Sequence, residues 1–455
     1  MSVISDIFSD IGKFLLNTVS DAISDINIGI NAKTPNDEFQ SGDVDLIDIV
    51  LMSEDGQRTY SLINQAVTLD IYESVMSPIM WAEIQIADSQ GLLESFPIIG
   101  EEFISIVFNT PGNGNDPVNY LFRVKSVNDK QTNQSNRRLS YTLQCCSAEA
   151  MENAKVSVTE TKKDSVDNII KDIFNEYLGS SKRLTVAKTD GIEEVNITSL
   201  SPFQAIDYLR QRAVSNRWQS SSYAFYENRK GFHFAILEQM IDEGRRLAET
   251  GNHDKIFFYD TARNQDASAV SYRNVLAYNQ IQFGDSITQV QEGGLNNEVQ
   301  SYDLITGEVR VVTYTDNIGA DEFSSTSETS AGGHTTSFTR KHGRQTTTTR
   351  MITTRSDLPE TNISERLSKS QAYAQKLAQN ITQIHVYGDA SINIGDVVEC
   401  RFPSSIDSDD ANAVSRLDSG FYVVTKVRHI ILNGDRPQYT QALELIKTDL
   451  QEVSA

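Results

Sequence analysis

Two stretches of this 455-residue chain alternate apolar and polar residues and then double back on themselves. In the first, Val118, Tyr120, Phe122 and Val124 alternate with Asn119, Arg123 and Lys125. Leu139, Tyr141, Leu143 and Cys145 then alternate with Ser140, Thr142 and Gln144. In the second, Phe421, Val423, Thr425, Val427 and His429 lead to a turn at Asn433-Gly434-Asp435, and Tyr439, Gln441, Leu443 and Leu445 return. Successive side chains of a strand point to opposite faces, so a period of two sets one face on a core and leaves the other toward solvent. The chain therefore has antiparallel β domains at both ends, each closing on a long strand–turn–strand. Met80, Ala82, Ile84 and Ile86, alternating with Trp81, Glu83 and Gln85, add a strand to the first domain. Ile381–Tyr387 and Ile392–Val398 add strands to the second. Asn128-Asp129-Lys130 through Asn136 is expected to be the turn of the first strand pair. Strands and turns at this spacing suggest a barrel or a sandwich.

Between the two β regions the period changes to 3.6. Val166, Ile169, Ile170, Ile173, Tyr177 and Leu178 predict one helix, with Asp164 or Ser165 to cap its start and Gly179 for the left-handed residue past its end. Ser201-Pro202-Phe203-Gln204 is a capping box that opens a second helix through Ile206, Leu209 and Ala213. Tyr223-Ala224-Phe225 and Phe232-His233-Phe234 read as a hairpin turning at Asn228–Gly231. At one domain per roughly 150 residues, about three domains are expected. The fold class is α+β, mostly antiparallel β. The divisions are an N-terminal piece at 1–40, a β domain at 41–155, an α/β module at 156–269 and a second β domain at 270–455.

Two segments stand apart. Ile4, Phe8, Ile11, Leu15, Val19, Ala22 and Ile26 recur at three- and four-residue spacing with Asp6, Asp10, Asp21 and Asp25 between them, the pattern of an amphipathic helix. Such a helix either packs on its own domain or forms a trimeric coiled coil or a docking surface for a partner. Asp6 and Asp10 interrupt the run, so a secretory signal is not expected. Residues 313–356 are an insertion rich in serine and threonine. Its basic run of Arg340, Lys341, Arg344, Arg350 and Arg355 makes it either a surface insertion or a long hairpin or loop that touches a partner. Ser364–Asn380 reads as a further helix.

Charge narrows the partners. The net formal charge is −22, so a mainly electrostatic nucleic-acid binder is excluded and a peripheral binder of anionic lipid is disfavoured. The excess is uneven, with 11 acidic and 3 basic residues in 1–58, and five bases and no acid in 334–355. No apolar run reaches the ~18 residues of a membrane-spanning helix. Cys145, Cys146 and Cys400 offer no CxxC spacing, and no disulfide framework is expected. Cys145 and Cys146 end a strand, so their thiols point to opposite faces. His233, His385 and His429 lie in strand patterns and read as structural, and no HxxxH or HExxH pairs the histidines for zinc. Gly112-Asn113-Gly114 lies between strands and suits a hairpin loop, not a phosphate cradle. Glu101-Glu102 and Glu193-Glu194 are sequence neighbours whose side chains diverge, unlike a catalytic pair across a cleft. No catalytic residue, cofactor site or metal site is assigned. Trp81 and Trp218 are isolated in the sequence, so no aromatic platform for a carbohydrate is evident.

Three stretches together resemble the central baseplate hub proteins of contractile-tailed bacteriophages. The first is Val67–Ser74 with Ser77–Met80, Ile84–Ser89, Gly91–Leu93 and Pro97–Glu102. The second is Ser201–Leu209 with Tyr223–Asn228 and Gly231–Phe234, and the third is Asn393–Val398 with Ser419–Val424 and His429. The layout is also similar to the hub part of type VI secretion spike proteins. The resemblance covers about 40–450, and its motifs are not catalytic. It implies two tube-like β-barrel domains with an α/β module between them, and a homotrimer that adapts a sixfold tail tube to a threefold central spike. It also implies contacts with other baseplate proteins, DNA passing through a channel without specific binding, and a place in the virion tail after assembly in the host cytoplasm. With such a channel, the acidic balance of the chain suggests a wall that repels the DNA. Ile4, Phe8, Ile11, Leu15, Val19, Arg340, Lys341 and Arg344 are the candidate partner contacts. A tail-associated peptidoglycan hydrolase and a receptor-binding tail protein are the competing readings.

Overall fold

The computed structural model describes residues 41–110, 117–133, 138–215, 217–218, 221–250, 255–259, 272–283, 296–303, 307, 309–315, 347–353, 380–404, 414–415 and 418–447. The amphipathic segment at 1–40, the candidate contacts Ile4, Phe8, Ile11, Leu15, Val19, Arg340, Lys341 and Arg344, and most of the helix expected at 364–380 lie outside them.

The first β region consists of β1 (Asp45–Met52), β2 (Thr59–Ser61), β3 (Ala66–Ser74), β4 (Trp81–Asp88), β5 (Phe103–Asn109), β6 (Val118–Asn133) and β7 (Arg138–Cys146), with the short helix α1 (Leu92–Ser95) after β4. Hydrogen bonding orders them β3-β4-β7-β6-β5-β1-β2. Ile49 and Leu51 of β1 share one buried cluster with Leu69 and Ile71 of β3, at the other end of that order. A flat sheet cannot bring its two ends together, so these strands curl around their own core.

The expected turn at 128–136 is a correction. β6 continues through Asn128 to Asn133, and the register against β7 shifts between Asn128 and Gln131. Asp129 takes φ +52° there. The Asn-Asp pair tolerates the left-handed region and here makes a β-bulge inside a long strand.

The middle of the chain holds α2 (Glu149–Lys155), β8 (Val158–Asp164), α3 (Val166–Ile173), β9 (Leu184–Val186), β10 (Glu193–Leu200), α4 (Pro202–Arg210), β11 (Tyr223–Asn228), β12 (Gly231–Ile236) and α5 (Leu237–Glu249). β11 and β12 are the expected hairpin, with Asn228 opposite Gly231, and β9 joins β12 in parallel. At Gly231, with φ +121°, a Cβ would sit 2.3 Å from the Arg183 carbonyl oxygen, so the turn requires glycine. Gln204 closes the capping box by accepting the Ser201 backbone N–H at 3.1 Å. The helix expected over 166–178 is α-helical only to Ile173. Phe174–Leu178 widens to a π turn and ends on Gly179 at φ +56°.

The second β region consists of β13 (Ile256–Phe258), β14 (Val275–Phe283), β15 (Asn296–Asp303), β16 (Val309–Thr315), β17 (Thr347–Thr353), β18 (Asn380–Tyr387), β19 (Val397–Arg401), β20 (Gly420–Leu432) and β21 (Gln438–Lys447). β20 and β21 form the expected closing hairpin. The two ends of the 313–356 insertion are strands, since β16 and β17 flank β15 in a three-stranded sheet.

Apart from β15–β17, the strands of the two β regions belong to one sheet. β3 pairs antiparallel with β20 over seven residues, from Lys426 opposite Ser74 to Leu432 opposite Thr68. The combined order is β14-β18-β21-β20-β3-β4-β7-β6-β5-β1-β2, with β13 and β19 attached beside β20.

Candidate functional site

Cross-strand register places side chains in rows that cross this seam. One row runs Ala442, Arg428, Tyr72, Trp81 and Cys146 over β21, β20, β3, β4 and β7. The next runs Thr440, Ile430, Asp70, Glu83, Gln144 and Ser126, reaching β6. Their neighbours within each strand, such as Leu69, Ile71, Ile84 and Leu143, are fully buried on the other face. The rows thus form an open polar face over six strands. At the far end α5 covers it, with Ile241 against Val423 and Ile446.

Two of the cations on this face are paired in plane. Arg428 donates to Asp70 at 2.9 Å across the seam and lies over the Tyr72 ring, and Lys426 donates to Glu444 at 2.9 Å. Asp70, Glu83 and Glu444 stand against Lys125, Lys426 and Arg428, so the face carries both signs.

Beneath the seam lies a buried polar chain. The Gln441 side chain pairs with the Asp389 backbone, accepting its N–H at 2.9 Å and donating to its carbonyl at 3.1 Å. The same amide nitrogen donates to the Tyr439 hydroxyl at 2.8 Å, and that hydroxyl lies 2.6 Å from His429 Nδ1. His429 Nε2 faces Glu73 Oε1 at 3.6 Å, and Glu73 accepts from the Tyr120 hydroxyl at 3.2 Å. All six residues are at most 4% exposed. The chain runs from the second β region to the first, and burial with the nearby Glu73 carboxylate pushes the Tyr120 phenol well above its usual range. Polar groups with these partners fix one register, because a slip by two residues would keep them buried but take their partners away, and a slip by one would turn them to the other face. His429 therefore has the structural role read from its strand position.

A second buried set joins the α/β module to the first β region. Lys182 donates to Glu227 at 2.6 Å and to Glu149 at 2.8 Å. Glu227 also accepts from the Ser147 hydroxyl and from the Met80 backbone N–H. Burial raises the Glu227 carboxyl against the pull of Lys182. Burial would lower the Lys182 ammonium, but the two carboxylates outweigh it and raise it. Serine, lysine and carboxylate here are a clamp with every group engaged, not an exposed nucleophile.

Other residues singled out in the sequence have structural partners. Glu102 accepts the backbone N–H groups of Ile99, Gly100 and Glu101 and holds their loop. Cys145, Cys146 and Cys400 are buried, and burial raises all three thiols. His233 stacks on Tyr226, with Nε2 3.0 Å from Asn228 Oδ1. Among the described residues no group of three or more His, Cys, Asp or Glu could hold a metal ion. Trp81 is not isolated in space: Tyr72 lies opposite it across β3 and β4. The sequence reading missed this pair because it depends on strand register.

No family model matches the sequence, and no curated protein matches it. The structure is similar to a tail protein from Neisseria meningitidis MC58, at 10% identity over 88% of this chain and 96% of that one, with a TM-score of 0.51. It is equally similar to the 43 kDa tail protein of prophage MuSo2 from Shewanella oneidensis, at 9% identity over 89% of this chain and 99% of that one, with a TM-score of 0.51. At these identities the likeness is one of fold. It agrees with the resemblance read from the sequence and extends over nearly the whole of both tail proteins.

Proposed function

We propose that this chain is a structural protein of a phage tail, the central hub of a baseplate. The observation that carries the reading is the seam: one chain supplies two β regions, each ending in a long hairpin, and welds them through β3 and β20 into one sheet. Three copies would present six such modules. A ring of that kind meets a sixfold tail tube on one side and a threefold central spike on the other. The tail fold and the absence of a catalytic constellation in the sequence support an architectural role. In this reading each β region is one tube-like barrel module, and the open polar face stays available to the ring's passage. In-plane pairing of its cations leaves few free positive charges to hold passing DNA. The stripe of Ile4, Phe8, Ile11, Leu15 and Val19 and the basic run of Arg340, Lys341 and Arg344 are the proposed contacts with other baseplate proteins. The protein would be assembled in the host cytoplasm and reside in the virion tail.

Light scattering of the purified chain, alone and with the spike protein encoded beside it, tests the reading. A mass of three times 50.8 kDa in either sample is expected. A monomer in both overturns the hub assignment.

A further inference from the structure

The open face contains a cleft of about 310 Å³ lined by Tyr72, Trp81, Ala82, Glu83, Lys125, Gln144 and Cys145. Strand register builds it. Tyr72 lies opposite Trp81, and Glu83 opposite Gln144. The register of β6 against β7 shifts between Val124 and Ser126, and Lys125, at that shift, holds its ammonium 4.9 Å from the Trp81 ring centre.

The groups in this cleft are less engaged than their neighbours. Lys426 and Arg428, on the same face, each have a carboxylate at 2.9 Å. Among the described residues no carboxylate pairs with Lys125. Glu83 accepts from the Tyr72 hydroxyl and from the Gln144 amide, but at 3.4 Å in both cases, the long end of hydrogen bonding. Trp81 is 36% exposed, on a strand whose inward side chains are fully buried.

We propose that this cleft binds a short neutral saccharide. One acid and one base offset each other, so the lining favours neither an anion nor a cation. A cationic ligand would also be repelled by Lys125 beside Trp81 and Arg428 beside Tyr72. A sugar ring fits what remains. Its C–H face packs on an exposed indole, and its hydroxyls both donate and accept, matching a carboxylate, a carboxamide, a phenol and an ammonium around one ring. The volume is at the small end of ligand sites, which start at about 300 Å³. The cleft is complete within one chain, so the inference does not rest on the trimeric ring.

The chain's two tryptophans make the test direct. The full-length protein is titrated with triacetylchitotriose, maltotriose and cellotriose to about 20 mM, a range suited to millimolar affinity, and indole emission is followed. A saturable change is expected with at least one probe. It should persist in Trp218→Phe and vanish in Trp81→Phe. Ligand-observed saturation-transfer NMR on Glu83→Gln and Gln144→Ala should show affinity weakened about tenfold, as for a lost hydrogen bond. Unchanged near-ultraviolet circular dichroism confirms that each variant is folded. Three outcomes overturn the proposal: no saturable change with any probe, a change that survives Trp81→Phe, or tighter binding of uridine monophosphate or a tri-arginine peptide than of every sugar.

Discussion

The two β regions reach similar sheets by different routes. In the first, every strand lies between residues 45 and 146, and the buried cluster comes from residues 44 to 145 apart from Ala390, Ile431 and Tyr439. The second gathers strands from residues 256 to 447 and carries a separate three-stranded sheet between β14 and β18. Its buried cluster includes Tyr226 and Met240 of the α/β module and Val75 of the first region. A β region assembled from contiguous chain closes its own core. One interrupted by insertions borrows side chains from its neighbours, and so ties its stability to theirs.

Four substitutions sharpen or break that comparison. Phe122→Ala removes a fully buried ring from the first core and should cost about 3–5 kcal/mol. Hydrogen exchange should then loosen β1 to β7 while β14 and β18 keep their protection. Met240→Ala should cost about 2–5 kcal/mol, and the loosened amides should include β19 and β20 although Met240 belongs to α5. Loosening confined to the module would show that the second region does not depend on it. Tyr439→Phe removes the hydroxyl that links Gln441 to His429 beneath the seam and should cost about 1–3 kcal/mol in denaturant unfolding. An unchanged midpoint would mean the polar chain does not hold the two regions together. Arg428→Ala breaks the cross-seam pair with Asp70, but with the arginine side chain 47% exposed the loss should stay below about 1 kcal/mol. A larger loss would move the strength of the seam from its buried layer to its surface.

Much of the first region was legible in the sequence. Ala82, Ile84, Ile86, Tyr120, Phe122, Tyr141 and Leu143 are buried as their period of two predicts. The α4 capping box and the β11–β12 turn also stand where local chemistry placed them. Asn128–Lys130 was misread because a bulge and a turn use the same residue types. The π turn after Ile173 has no signature in a 3.6-residue pattern, since Tyr177 and Leu178 suit either winding. Trp81 was readable as an outward residue, but its pairing with Tyr72 and the cleft beside it were not.

The sequence by itself determined which side of each strand is apolar, where α4 begins and where the two long hairpins lie. Those are properties of a few consecutive residues, set by backbone geometry and local hydrogen bonding. Only the tertiary structure decided that β3 and β20, 358 positions apart at Asp70 and Arg428, share an edge. An alternating strand exposes the same row of N–H and C=O groups to any partner, so its pattern names a face but not a neighbour. The neighbour is chosen where buried groups such as Tyr120, Glu73, His429, Tyr439 and Gln441 come together across the seam.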